Sequence, residues 1–132
     1  MTKPYCSPEE ILQFLELNLL KVQKPGRYIG GELNQIQKNW NKTNIKVALA
    51  FPDIYDIGLP NLGIMVLYDI INQKENILAE RTYAPWTDME EMMREKDISL
   101  YTLESKHALK EFDVIAFTIP YESIYTNHLR SV

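Results

Sequence analysis

The stretch that decides the fold is IKVALAFPDIYDIGLPNLG, residues 45–63. Apart from one lysine, its first seven residues are apolar, which is typical of a strand covered on both faces in a parallel sheet. The loop that follows is rich in glycine and proline, and it leads into an apolar segment that predicts a helix over 61–72. A buried strand followed by a loop and a helix predicts one unit of a layered α/β fold.

The remaining segments continue this alternation. We expect a helical turn around Leu109 and further strands at 77–83, 98–103 and 113–119. Thr87 and Glu90 form a capping box that predicts another helix. The order strand, helix, strand, helix, strand, strand predicts a mostly parallel sheet with flanking helices and right-handed crossovers. The helix over 61–72 is apolar on every side of its helical wheel, so we expect it to be buried all round.

The N-terminal part predicts a helical appendage to this sheet. The pattern Ser7-Pro8-Glu9-Glu10 can cap a helix, because serine accepts a backbone hydrogen bond and proline suits the first helical position. We expect a helix over 8–22, followed by an ordered loop rich in glycine. The predicted organisation is therefore an N-terminal helix and loop at 1–44 and an α/β domain at 45–132.

Composition excludes several classes of function. The chain has 132 residues, 45% of them hydrophobic, which suits one globular domain. A net charge of −4 without a basic run argues against direct binding of nucleic acid. Cys6 is the single cysteine, so this sequence cannot form an internal disulfide or a site of several thiolates. We see neither a secretion signal nor an apolar run long enough to span a membrane, and we expect a cytoplasmic protein.

The loops after the strands at 45–51 and 113–119 form the candidate binding site. Ligands of open parallel sheets bind beyond the carboxyl ends of the strands, so neighbouring strands would place both loops on one crevice. Glycines there would let a ligand approach the backbone, and the free amides at the start of the next helix could bind a phosphate or amide group. The candidate cofactor-binding residues are Asp53, Tyr55, Gly58, Asn61, Gly63, Tyr121 and Glu122. A purely structural turn stays the alternative.

Five blocks occur in order along the chain: RYIGGELN, VALAFPDIYDIGLPNLG, LAERTYAPWTDME, LES, and FDVIAFTIPYE followed by TN. Together they resemble the N-terminal domain of a family of radical SAM proteins that contain a cobalamin-binding domain. The resemblance spans about residues 24–127. It implies a flavodoxin-like or Rossmann-like domain, similar to cobalamin-binding domains, placed before a barrel that binds a [4Fe-4S] cluster and S-adenosylmethionine.

The cofactors that the resemblance implies meet two departures in this sequence. Histidine-ligated cobalamin domains carry Asp-x-His-x-x-Gly after the first strand, whereas the matching residues here are Asp53, Tyr55 and Gly58. A neutral phenol is a poor substitute for imidazole, so we expect no histidine ligand to cobalt from this loop if cobalamin binds. A radical SAM cluster needs three cysteines. We therefore expect the cluster and S-adenosylmethionine only in a core outside this chain, and an incomplete sheet.

The resemblance implies a module that holds a corrinoid or caps the radical SAM barrel, without catalysis of its own. The alternative is a protein-interaction module that keeps the fold without the ligand. The expected partner is a radical SAM core, in the same polypeptide or another, and a homo-oligomer is the alternative cover for the apolar helices. Tyr83, Trp86 and Tyr101 could stack on a corrin or a base, although such aromatics usually serve packing. We interpret Ser105 and His107 as a polar connector.

Overall fold

The structure, a computed structural model, describes residues 6–118. Its helices are α1 (Pro8–Asn18), α2 (Tyr55–Gly58), α3 (Leu62–Asn72) and α4 (Thr87–Glu95), and its strands are β1 (Ile45–Phe51), β2 (Ile77–Tyr83) and β3 (Val114–Phe117). Short 3₁₀ turns lie at Leu19–Lys21, Pro25–Arg27, Trp40–Lys42 and Leu109–Glu111. Within the described range, no helix has the length and apolar character needed to cross a membrane.

The three strands form one parallel sheet in the order β2-β1-β3. Val47 of β1 pairs with Ala79 on one side and with Val114 on the other. The predicted α/β fold with a parallel sheet is confirmed. A first strand that lies between the second and the third is also the beginning of the flavodoxin-like strand order.

The prediction of a strand at 98–103 is wrong. That segment makes one isolated antiparallel bridge, at Tyr101, and otherwise runs beside the outer edge of β2. Leu103 N donates to Arg81 O at 2.9 Å, but Arg81 N donates to a side-chain oxygen of Glu104 at 2.8 Å. Because a carboxylate replaces the next backbone acceptor, the regular ladder cannot continue.

The two predicted helix starts differ in outcome. Ser7 Oγ accepts a hydrogen bond from Glu10 N at 3.2 Å, as expected, and α1 is followed by a 3₁₀ turn. The capping box at Thr87 is wrong, because Thr87 is already helical and Trp86 is the N-cap residue, without a side-chain cap. Glu90 N donates to Trp86 O at 2.9 Å, so the first helical hydrogen bond begins one residue earlier than predicted.

Two larger apolar clusters and a small one, formed by Ala48, Leu109 and Phe112, hold the elements together. The first lies between α3 and the sheet, and its buried members include Leu49, Phe51, Ile64 and Tyr68. The second joins α1 to α4 and includes Ile11, Phe14, Leu15, Met89 and Met93. The N-terminal helix thus packs against α4 rather than directly against the sheet.

The expectation that α3 is buried all round is wrong. Ile64 and Tyr68 point to the sheet and are 0% and 2% exposed. The opposite side is open to solvent, and we call it the exposed apolar face of α3; it consists of Leu62, Met65, Val66, Leu67 and Ile70, which are 39–72% exposed. A helical wheel records how apolar each side of a helix is, but it does not show whether another element covers that side.

Candidate functional site

The loop after β1 is anchored to the N-terminal segment by ion pairs. Arg27 donates to Asp56 Oδ2 from Nη2 at 2.7 Å and from Nε at 3.2 Å, and Lys24 Nζ lies 3.1 Å from the same oxygen. Arg27 is 8% exposed. The hydrogen bond from Arg27, and to a lesser degree that from Lys24, holds the pKa of the Asp56 carboxyl below its usual value. The loop is therefore fixed before any ligand arrives.

Tyr55, the residue compared above with the cobalt-ligating histidine, is held by two neighbours. Its hydroxyl donates to Glu32, and its ring meets the Tyr83 ring edge-on with 5.7 Å between centroids. Burial, followed by the contact with Glu32, raises the pKa of Tyr55 to about 12. Tyr55 is consequently a neutral phenol at neutral pH, and its oxygen is already engaged.

Gly58 is buried under aromatic side chains rather than open to a ligand. A Cβ atom at this position would overlap the Tyr83 ring and lie 3.0 Å from Cδ1 of Phe51. The glycine therefore permits close packing of α2 on the ends of β1 and β2.

Asn61 and Gly63 lie at the start of α3. Asn61 Oδ1 accepts from Ile64 N at 3.1 Å and so caps the helix. A Cβ atom on Gly63 would lie 3.2 Å from that same oxygen. Two of the predicted site residues thus determine the conformation at the start of α3. The Asn61 side chain accepts a hydrogen bond from one of the backbone amides that we expected to be available to a ligand.

The two strands on whose adjacency the predicted crevice depends are neighbours in the sheet. β1 and β3 are adjacent, and Thr118 N donates to Ala50 O at 3.2 Å beyond the end of β3. Tyr121 and Glu122, the predicted far wall, lie outside the described residues. The structure therefore brings together Asp53, Tyr55, Gly58, Asn61 and Gly63 in one loop region after β1.

A cavity of about 390 Å³ opens on the other side of β1, between the loops after β1 and β2 and the helix α4. We call it the Trp86 cavity; its lining includes Asp53, Pro85, Trp86, Met93, Arg94 and Leu100. Asp53 O accepts from Ala84 N at 2.9 Å, which ties the two loops together at the cavity. Sequence reasoning placed the crevice between β1 and β3 and did not predict this cavity, although it named Trp86, which lines the cavity, among the aromatic residues that could stack on a ring.

Sequence reasoning also missed the polar groups buried on β2. Arg81 Nε donates to Glu104 Oε1 at 2.9 Å, and both side chains are almost fully buried. On the preceding residue of β2, Glu80 Oε1 accepts from Ser105 Oγ at 2.5 Å, and His107 Nδ1 lies 2.6 Å from that hydroxyl. Burial raises the pKa of Glu80. The signal was a charged pair inside the otherwise apolar strand ILAERTY.

The loop after β1 does not fit a corrinoid whose cobalt is ligated by Tyr55. The phenol of Tyr55 is bonded to Glu32, and the space at Gly58 is filled by Tyr83. Between residues 6 and 118, no group of three or more His, Cys, Asp and Glu side chains could hold a metal ion.

Comparison with known proteins adds one finding. Residues 63–132 match the family described as radical SAM proteins, N-terminal. No curated protein and no solved structure matches the chain. Since the match covers more than half of the sequence, the chain belongs to the family of N-terminal regions of radical SAM proteins.

Proposed function

We propose that this domain is a non-catalytic docking module of a radical SAM protein, which binds the radical SAM core through the exposed apolar face of α3. One observation carries the proposal: five large apolar side chains are 39–72% exposed on one helix whose single charged residue is Asp69. Scattered apolar residues are normal on a protein surface, but a contiguous patch marks an interaction site.

The size of the patch indicates how the partner is held. Complete burial of a Leu, Ile, Val or Met side chain contributes about 1.5–3 kcal/mol, and these side chains are already partly covered. Five of them would contribute roughly 5 kcal/mol, which is comparable to the low end of the cost of association. The face therefore suits a partner that is tethered in the same protein, or one that adds contacts elsewhere.

Family membership favours the radical SAM core as the occupant. In proteins described by this family the domain stands on the N-terminal side of a radical SAM region. The [4Fe-4S] cluster and S-adenosylmethionine would belong to that core, because the cluster takes thiolate ligands and this sequence has only Cys6. The Cys6 thiol is itself buried, and it donates to Asp97 O at 3.3 Å.

The test is a calorimetric titration of the chain with a radical SAM core polypeptide from the same organism, expressed separately. Ile70→Lys places a charge in the centre of the proposed interface and should weaken binding at least tenfold. Leu17→Lys is the matched control, because Leu17 is an exposed leucine of α1, the helix that packs against α4. Equal binding by both variants, or a dimer of the chain that covers α3, would refute the proposal.

A corrinoid held without a protein ligand to cobalt is the second candidate. The adjacency of β1 and β3 favours it. In flavodoxin-like sheets, the connections that follow these two strands run to opposite faces of the sheet, and a crevice opens between them. The test is titration with hydroxocobalamin, followed by absorbance. We expect saturable binding without the spectrum of imidazole ligation, and the absence of saturable binding in the high micromolar range would exclude this candidate for the chain.

A further inference from the structure

We infer that the partner surface that covers the exposed apolar face of α3 carries a lysine or arginine opposite Asp69. This inference rests on the docking function proposed above, and it specifies the chemistry of the surface that docks. That surface is apolar and includes one cation near its edge. Asp69 is an exposed residue of α3 and gives the helix its single charge.

The direction of Asp69 places its carboxylate among the apolar side chains. An α-helix has about 3.6 residues per turn, so successive side chains differ in direction by about 100°. Around the helix axis, Asp69 therefore lies about 40° from Met65 on one side and about 20° from Leu62 on the other. Met65 and Leu62 both belong to the exposed apolar face. A partner that covers this face therefore also covers the carboxylate.

The carboxylate of Asp69 receives one neutral hydrogen bond from its own helix end. Gln73 Nε2 donates to Asp69 Oδ2 at 3.1 Å. The residue one turn before Asp69 is Met65, and α3 contains no lysine or arginine. None of the ion pairs between described residues includes Asp69. Because Asp69 is exposed, water solvates its charge in the free domain.

Docking removes water from this carboxylate. Burial of a charge is costly unless an opposite charge and hydrogen-bond donors replace the lost water. The amide of Gln73 is a donor but carries no charge, so it cannot replace that water alone. Ammonium and guanidinium groups form the strongest hydrogen bonds with a carboxylate. A partner that presented only apolar side chains, or an acidic residue, would leave Asp69 uncompensated and would bind weakly.

The position of the charge also gives the docking face a direction. Val66, Ile70 and Leu67 follow at about 60°, 100° and 160° from Asp69, all on the side of Leu62. Met65 alone lies on the other side of Asp69. Apolar contacts do not fix how a partner is placed across a helix, whereas a charge pair near one edge does. The same pair disfavours partners without the cation.

The test is a calorimetric titration of two charge-reversal variants with the separately expressed radical SAM core polypeptide. Asp69→Lys should weaken binding at least about tenfold, because it places a second cation against that of the partner. Glu91→Lys changes the net charge of the chain by the same amount at an exposed position of α4. It should leave the affinity within about twofold, because exposed charges are screened over about 10 Å. Circular dichroism would verify that both variants are folded.

Salt dependence gives a second measurement. The affinity of the unchanged chain should fall as NaCl is raised from about 0.05 to 0.5 M, and Asp69→Asn should reduce this dependence. If Ile70→Lys weakens binding but Asp69→Lys does not, the docking function stands and this inference fails. An equal loss for Glu91→Lys, or tighter binding by Asp69→Lys, would also overturn the inference. If neither variant of α3 changes binding, the docking function itself is refuted.

Discussion

Arg27 donates two hydrogen bonds to a single carboxylate oxygen of Asp56, from Nη2 at 2.7 Å and from Nε at 3.2 Å. The two residues belong to separate sequence blocks, RYIGGELN and the loop after β1, and the contact joins these blocks into one unit. The third nitrogen, Nη1, is buried without a hydrogen-bond partner within the described part of the chain. Such a group is costly to bury, so the contacts with Asp56 and Trp86 must offset its desolvation.

Asp56→Asn tests this ion pair. The pKa of Asp56 is held below its usual value, so its contribution to folding is complete above the unfolded pKa and is lost as the pH falls through the folded one. We expect the free energy of unfolding to fall by about 1 kcal/mol at pH 7, because the change weakens charged hydrogen bonds at a partly exposed carboxylate. Urea unfolding across acidic pH should show the two proteins converging. Glu91→Gln, an exposed change, is the control, and a pH-independent difference would contradict the assignment.

Gly58→Ala tests the packing of α2. The added Cβ would overlap the Tyr83 ring, so we expect the free energy of unfolding to fall by about 1–3 kcal/mol. Gly26→Ala is the matched control, because nothing lies within 4 Å of a Cβ at that position. Chemical denaturation measures both. Equal stability of the two variants would mean that Tyr83 does not occupy the space above Gly58.

Glu104→Gln tests the buried ion pair on β2. The change leaves the Arg81 guanidinium buried without its counter-charge, so we expect the free energy of unfolding to fall by about 3 kcal/mol. Glu90→Gln removes one partner of an exposed ion pair and should cost less than about 1 kcal/mol. If urea unfolding gives similar losses for both, then Arg81 is less buried than the structure shows.

Two lysine substitutions on α3 separate its two faces. Ile70→Lys should change the free energy of unfolding by less than about 0.5 kcal/mol, because Ile70 is half exposed in the isolated domain. Ile64→Lys, on the same helix, should cost more than about 4 kcal/mol, because it buries an unpaired charge at a position that is 0% exposed. Thermal unfolding gives the comparison, and severe destabilisation by Ile70→Lys would show that this face belongs to a core.

Much of the sheet was predictable from local patterns. The predicted bounds of β1 and β2 agree with the structure, because each strand is a continuous run of strand-forming residues with turn residues at its ends. The segment at 98–103 has the same kind of pattern, but Glu104 supplies the acceptor that a strand would have supplied. Local periodicity does not reveal that a side chain competes with the backbone for one hydrogen bond.

The sequence indicated where a candidate site would lie, but not the contacts that its residues make. The rule that ligands bind beyond the carboxyl ends of parallel strands identified the loop after β1. Its contacts depend on residues distant in sequence, such as Glu32 for Tyr55 and Tyr83 for Gly58. No spacing rule links these pairs, and for the same reason the Trp86 cavity became visible only when α4 was placed beside the loop.

The most direct test of the docking proposal is methyl NMR of the chain, with Ile, Leu and Val labelled, before and after addition of the radical SAM core polypeptide. We predict that the methyl signals of Leu62, Val66 and Ile70 shift or broaden, while those of Leu17 on α1 and of Leu20 in the 3₁₀ turn after it do not. Perturbations confined to α1, or α3 methyl signals that already depend on chain concentration and do not respond to the core, would contradict the account.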